Sequence, residues 1–174
     1  MTQWAIDPTH SEIGFKVKHM MFTNVSGKFE KFEAKAEAEG DDFAEANFYF
    51  SADTESVSTG NADRDKHLRS EDFFHAEHFP KLTFTSTSMK KISDHEFELT
   101  GELSVHGVTK PITLKVEYGG TMQDPWGNTK AGFTLEGKMN RKEWGLNWNA
   151  ALEAGGVLVS EEVRLNIDVQ LVKQ

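Results

Sequence analysis

The sequence predicts an all-β fold, an antiparallel β-barrel of about eight strands with a short helix at one mouth. Three observations carry this expectation. Apolar and polar residues alternate with a period of two in eight runs, the mark of strands with one buried face. Clusters of Gly, Asn, Asp and Pro stand between the runs, as short connections between antiparallel neighbours require. One charged stretch, Asn61 to Ser70, interrupts the alternation and carries helix-like ends. At 174 residues the chain is long enough to bury a substantial core, and residues 1–174 are expected to form one domain.

The first run puts Ile13, Phe15 and Val17 on one face. Phe29 follows, and Phe32, Ala34 and Ala36 continue one step out of phase, which predicts a β-bulge near Glu30 and Lys31. Next, Ala46, Phe48, Phe50 and Ala52 alternate with Asn47, Tyr49 and Ser51. Leu82 and Phe84 come after the charged stretch, then Phe97, Leu99, Gly101, Leu103 and Val105, then Ile112, Leu114, Val116 and Tyr118. Ala131, Phe133, Leu135 and Gly137 form the seventh run, and Val163, Leu165, Ile167, Val169 and Leu171 the last. Turns are expected at Gly40-Asp41-Asp42, Ser93-Asp94-His95, Gly107 to Pro111, Gly119-Gly120, Asp124 to Asn128 and Gly155-Gly156. An open sheet of this size would expose two edges, and closure removes them.

The helix is expected over 62–70. Asn61 is its cap, Asp63 lies in the first turn, and Lys66, His67 and Arg69 fall where the helix dipole favours cations. Asp65 and Arg69 are spaced as an i,i+4 pair. Only Leu68 is clearly apolar, so Phe73, Phe74 and Phe79 are expected to fix the helix to the barrel as a lid.

Composition excludes several classes. Lys and Arg number 19 against 28 Asp and Glu, a net charge of −9, and no basic cluster offers a nucleic-acid footprint. Nine acids between Glu30 and Glu55 face only Lys31 and Lys35, a local net of −7 read as a solvated strand face. Cysteine is absent, which removes disulfides and thiolate ligands. No apolar run reaches the ~20 residues of a membrane helix. The start of the chain has no basic and apolar leader, so a cytoplasmic location is expected, or a periplasmic one if a leader has been removed. No nucleophile elbow, P-loop or dinucleotide glycine fingerprint occurs, and no cofactor or catalytic residue is assigned.

Three stretches, in order, carry a family resemblance. Asp65-Lys66-His67-Leu68-Arg69-Ser70-Glu71-Asp72-Phe73-Phe74 leads through Phe79-Pro80 into the next strand; His106-Gly107-Val108-Thr109-Lys110-Pro111 follows; Asn140-Arg141-Lys142-Glu143-Trp144-Gly145-Leu146 comes last. With Trp4 to Ser11 at the start, the chain resembles the YceI-like family, lipocalin-like β-barrels associated with binding polyisoprenoid lipids. An eight-stranded barrel is either filled by its own side chains or holds one small ligand, and alternation alone leaves both open. The resemblance implies the second: non-catalytic binding, transport or storage of a polyisoprenoid or isoprenoid-quinone lipid. The chain would then lie among Phe15, Val17, Phe48, Phe50, Phe84, Leu103, Val105, Leu114, Val116, Phe133, Leu135, Ile167 and Val169. A phosphate or quinone head needs donors, and Arg64, His67, Arg69 and Arg141 are the candidates, each also able to pair with nearby acids.

Two alternatives share these observations. A carrier of fatty acids or fatty amides would use the same wall. A metal-dependent enzyme would use His75 and His78, whose i,i+3 spacing suits two ligands on one helical turn, although Phe79-Pro80 opposes a regular helix there. Trp126, Trp144 and Trp148 are expected to pack at barrel ends. A homodimer is left open.

Overall fold

A computed structural model of the chain describes residues 1–150 and 158–174. Its strands are β1 (Thr2–Ile6), β2 (Glu12–His19), β3 (Thr23–Phe29), β4 (Phe32–Glu39), β5 (Asp42–Asp53), β6 (Val57–Ser58), β7 (Lys81–Lys91), β8 (Glu96–Val105), β9 (Val108–Gln123), β10 (Thr129–Asn140) and β11 (Glu162–Lys173). They form one antiparallel sheet that closes where β1 pairs with β11.

Three pairs of these strands are halves of bent strands. β1 and β2 lie end to end along β11, β1 against Leu171 to Lys173 and β2 against Arg164 to Asp168. β4 continues beside β1 and β3 beside β2; β5 then pairs with β4 and β6 with β3. Taken so, the closed ring has eight strands, each hydrogen-bonded to its predecessor in the chain. The antiparallel barrel of about eight strands that the alternation and turns predict is thus present, with up-and-down strand order.

The bends coincide. A 3-10 turn, Pro8–His10, separates β1 from β2, and another, Thr54–Ser56, separates β5 from β6. Between them the expected bulge is a two-residue break at Glu30 and Lys31. Pairing survives it, because the Glu30 N–H donates to Ser56 O and the Asp53 N–H to Lys31 O. The first bend is pinned by Asp7, whose carboxylate accepts from Lys130 Nζ at 2.9 Å and lies 2.8 Å from His10 Nδ1. The Lys130 ammonium beside it holds this carboxyl well below the usual carboxylate range.

The strand register corrects two turn expectations. Gly119-Gly120 is not a turn: β9 runs through it, and its register with β10 steps from Gly120↔Gly132 to Tyr118↔Phe133, leaving Gly119 as the extra residue of a bulge. Gly120 has φ 114°, a conformation that only glycine adopts freely. The turn placed over Gly107 to Pro111 is shorter, with only His106 and Gly107 between the paired Val105 and Val108. Both have positive φ, the geometry of a two-residue hairpin, and Pro111 lies inside β9 opposite Glu102. The expected turn at Gly155-Gly156 lies outside the described residues.

Up-and-down order sorts the connections to two ends. One end gathers the chain termini and the hairpin turns near 40–41, 92–95 and 124–128. It is plugged by aromatic rings: Phe43 sits 5.1 Å from Trp4, 4.9 Å from Phe133 and 5.6 Å from Tyr118, centroid to centroid. Trp4 and Phe43 are each 1 % exposed, with Ala38 and Ala131 fully covered beside them. The other end carries the helix α1 (Ala62–Arg69). Asn61 caps it as expected, its side chain accepting from the Arg64 N–H at 3.0 Å. The expected Asp65–Arg69 pair does not form. Asp65 instead accepts from the N–H and hydroxyl of Thr59, which ties the helix to its own approach, and Arg69 lies 3.7 Å from Glu55. Phe74 meets Phe29 edge to face at 5.6 Å and Phe79 meets His106 at 5.0 Å, so the aromatic neighbours do hold the helix against the strands.

Candidate functional site

Between the plug and α1 lies a cavity of about 540 Å³, inside the usual small-molecule range of ~300–1,000 Å³. Its wall is made of alternate residues from the strands, as the two-residue period requires. Phe15 and Val17 of β2, Phe48 and Phe50 of β5, Phe84 of β7, Leu103 and Val105 of β8, Leu114 and Val116 of β9, Phe133 and Leu135 of β10, and Ile167 and Val169 of β11 all line it. All thirteen expected wall residues thus share one lumen. Ile13, Phe29, Leu68, Met139 and Trp148 join them. Met139 continues the inward face of β10, and Trp148, expected to pack at a barrel end, lines the cavity against His67 and Phe73.

The lumen stays open for a local reason. A Cβ at Gly27 would collide with the ring of Phe15, and one at Gly101 with the ring of Phe84. Each ring therefore rests against bare backbone of the adjacent strand instead of projecting across the barrel. Alternation marked Gly101 as an inward position, but its contact with the Phe84 ring is diagonal, since Gly101 pairs with Ser86 and Phe84 with Leu103, and it depends on a cross-strand register that no local pattern reports.

The mouth is polar on one side. Arg64, His67 and Leu68 line the cavity and Arg69 does not. Residues three and four apart share a helix face, and Arg69, five on from Arg64, is turned away from it. Arg64 donates through Nε to the Thr59 hydroxyl at 2.7 Å and through Nη2 to Thr59 O at 2.8 Å. His67 Nε2 is 2.8 Å from Asp72 Oδ2, and its ring stands edge-on to Trp148 at 4.6 Å and Phe73 at 5.1 Å.

Arg141 also reaches the cavity, buried at 3 % exposure. It donates to Ser160 O at 2.9 Å, Leu146 O at 2.5 Å and Val159 O at 3.3 Å. Burial pushes its pKa down from the ordinary guanidinium value while Glu161 pulls it back. With its fork spent on carbonyls, Arg141 acts as a tie between the 3-10 turn Arg141–Trp144 and the segment entering β11. Trp144 completes the clamp by donating to Leu103 O at 2.9 Å. Of the other tryptophans, Trp126 is 83 % exposed on the β9–β10 hairpin and does not pack at a barrel end as expected, because its turn is closed by Asp124 side-chain bonds rather than by ring burial.

His75 and His78 stack with centroids 5.0 Å apart and rings 18° from parallel, and both lie against Phe79. Asp72 and His67, two side chains nearby in sequence that a metal site could have drawn on, are engaged with each other. Among the described residues, no three His, Asp or Glu side chains gather as a metal site would need, and no helix is long and apolar enough to cross a membrane.

The family model for the YceI-like domain matches residues 4–171. The chain belongs to the YceI-like family. A UPF0312 protein of Staphylococcus aureus is 33% identical over 171 residues, covering 98% of this chain and 97% of its own length. The crystal structure of a YceI protein of Campylobacter jejuni superposes with a TM-score of 0.79 at 31% identity, covering 90% of each chain. A polyisoprenoid binding domain from Saccharophagus degradans shares the fold, with a TM-score of 0.69 at 13% identity over 98% of each chain. The solved relatives share the closed β-barrel.

Proposed function

We propose that the chain is a non-catalytic carrier or store for a polyisoprenoid or isoprenoid-quinone lipid, held in the barrel with its head toward α1. The observation that carries this reading is the apolar lumen of about 540 Å³, kept open by ring-on-glycine contacts and closed at one end by the Trp4–Phe43–Phe133 plug. Each buried methylene of a bound tail contributes about 0.8 kcal/mol, so a tail that fills the lumen binds usefully after ordering costs. The polyisoprenoid binding domain of S. degradans supports the ligand class. At the mouth, the exposed Arg64 and the half-buried His67 would meet a head group, while the buried Arg141 acts by holding the rim. Arg69 faces away from the lumen and has no part in this reading.

Mass spectrometry of organic extracts from protein purified without detergent tests it. An isoprenoid lipid at near-stoichiometric amount is the expected result. A straight-chain fatty acid or amide in its place would shift the assignment to an acyl carrier, and recovery of no lipid from any expression host would remove the carrier reading.

A further inference from the structure

We propose that the tip of the β2–β3 hairpin docks on the surface of an anionic lipid bilayer and sets the cavity mouth against it. The tip is Met20, Met21 and Phe22. Phe22 is 85 % exposed and Met21 56 %, an apolar cluster in the turn beyond the last β2–β3 pair, His19↔Thr23, at the mouth end. Its backbone departs from ordinary turn chemistry. Met20 and Met21 both have positive φ, 53° and 65°, where Asn and Gly are the favoured residues. Two apolar side chains held in a conformation that costs them energy point to a function at that position.

Charge selects the occupant. From Ile13 to Phe29 the chain has Lys16, Lys18 and Lys28 and no acid, on a protein of net charge −9. A bilayer with acidic head groups attracts such a segment and accepts its apolar tip at the head-group boundary. The hairpin is also part of the cavity entrance: Val17, Lys18, His19 and Val25 line the lumen directly below the tip. It is fixed in that position by the Met20 N–H donating to Leu158 O and by the bridge between His19 and Val159. The exposed Trp126 at the plug end lacks this context, since its hairpin carries Asp124 and lies far from the entrance.

The inference rests on the carrier reading for its purpose, but docking is measured separately from lipid capture. The full chain is mixed with vesicles of phosphatidylcholine, with or without phosphatidylglycerol, and sedimented. The comparison is with a Phe22→Ser, Met21→Asn variant, in which asparagine suits the positive φ, and with Trp126→Ser. Ubiquinone uptake is measured in parallel from vesicles and from detergent micelles. Wild type and Trp126→Ser are expected to sediment with phosphatidylglycerol vesicles and to be released by salt. The hairpin variant should bind them about tenfold more weakly or worse, since one buried phenylalanine ring is worth at least that factor, and should still take ubiquinone from micelles. Equal vesicle binding by wild type and the hairpin variant overturns docking. So does a shift of the hairpin variant from dimer to monomer with vesicle binding unchanged, which would assign the tip to a second copy of the chain. Failure of every protein to take ubiquinone from micelles counts against the carrier reading alone, and sedimentation still decides docking.

Discussion

At one end of the barrel Phe43 meets Trp4, Tyr118 and Phe133 ring on ring and excludes everything else, whereas near the other end Phe15 and Phe84 are drawn back against Gly27 and Gly101 and the space between strands stays open. The same residue type does opposite work because of what stands across the sheet from it. Facing another large ring, phenylalanine supplies packing enthalpy and stability. Facing glycine, it lines a wall. Truncation should therefore cost stability at the plug and binding at the wall.

The largest expected effect is at the plug. Phe43→Ala should lower the unfolding free energy in urea by about 3–5 kcal/mol, as a buried ring in a filled site does. Phe50→Ala, on the wall, should cost only about 1–2 kcal/mol, since one side of the ring already faces open space and little new cavity is created. Equal losses at both sites would erase the distinction between the ends.

Next in size is a charge placed in the lumen. Ile167→Asp puts a carboxylate on an apolar wall, which costs several kcal/mol or raises its pKa until it protonates. Urea unfolding should show the loss and ubiquinone titration the failure to bind. Asn166→Asp, one residue away and exposed on the outer face, should stay within about half a kcal/mol. Reversal of the two outcomes would mean that the inner face of β11 has been assigned to the wrong side.

Gly101→Ala sharpens the comparison. The new methyl meets both the Phe84 ring and the Thr85 carbonyl, so it must push the ring into the lumen and shift the adjacent strand, at a cost of about 1–3 kcal/mol in stability. Ubiquinone affinity should fall further than in Phe50→Ala, which enlarges the same lumen. Unchanged affinity in Gly101→Ala would show that the ring-on-glycine contact does not govern the space available.

The smallest effect concerns pH. The Asp7 carboxyl is held below its unfolded value by Lys130 and His10, so its contribution is complete above the unfolded carboxylate pKa of about 3.9 and is lost as pH falls through the lower folded value. Wild type should lose stability on going from pH 6 to pH 3, and Asp7→Asn should lose measurably less over that interval. Parallel pH profiles for the two would show that the Asp7–Lys130 contact contributes nothing in solution.

Alternation revealed the wall because it is local: every second residue of a strand shares a face, and thirteen positions chosen on that basis converge on one lumen. Asn61 was equally legible, since a cap is a matter of a few adjacent residues. What escaped depends on partners distant in sequence. Gly119-Gly120 has the composition of a turn, and only the register against Gly132 and Phe133 makes it a bulge. Trp4 and Phe43 form a plug because two chain ends and a hairpin meet there. Arg141 has the residue type of a head-group ligand, but three carbonyls from two segments engage all three of its nitrogens and hold it in the rim.

A lumen closed at one end has a finite depth, and that depth is measurable. Protein stripped of lipid should be titrated with polyprenols of increasing length, following the fluorescence of Trp148 at the mouth. Affinity should rise with each added isoprene unit, by up to about 0.8 kcal/mol per buried carbon before ordering costs. It should then stop rising at the length that reaches Phe43 and Phe133, and Phe43→Ala should move that limit to longer chains. Affinity that ignores chain length, or that grows without a limit, would contradict a tail held inside a barrel with a closed floor.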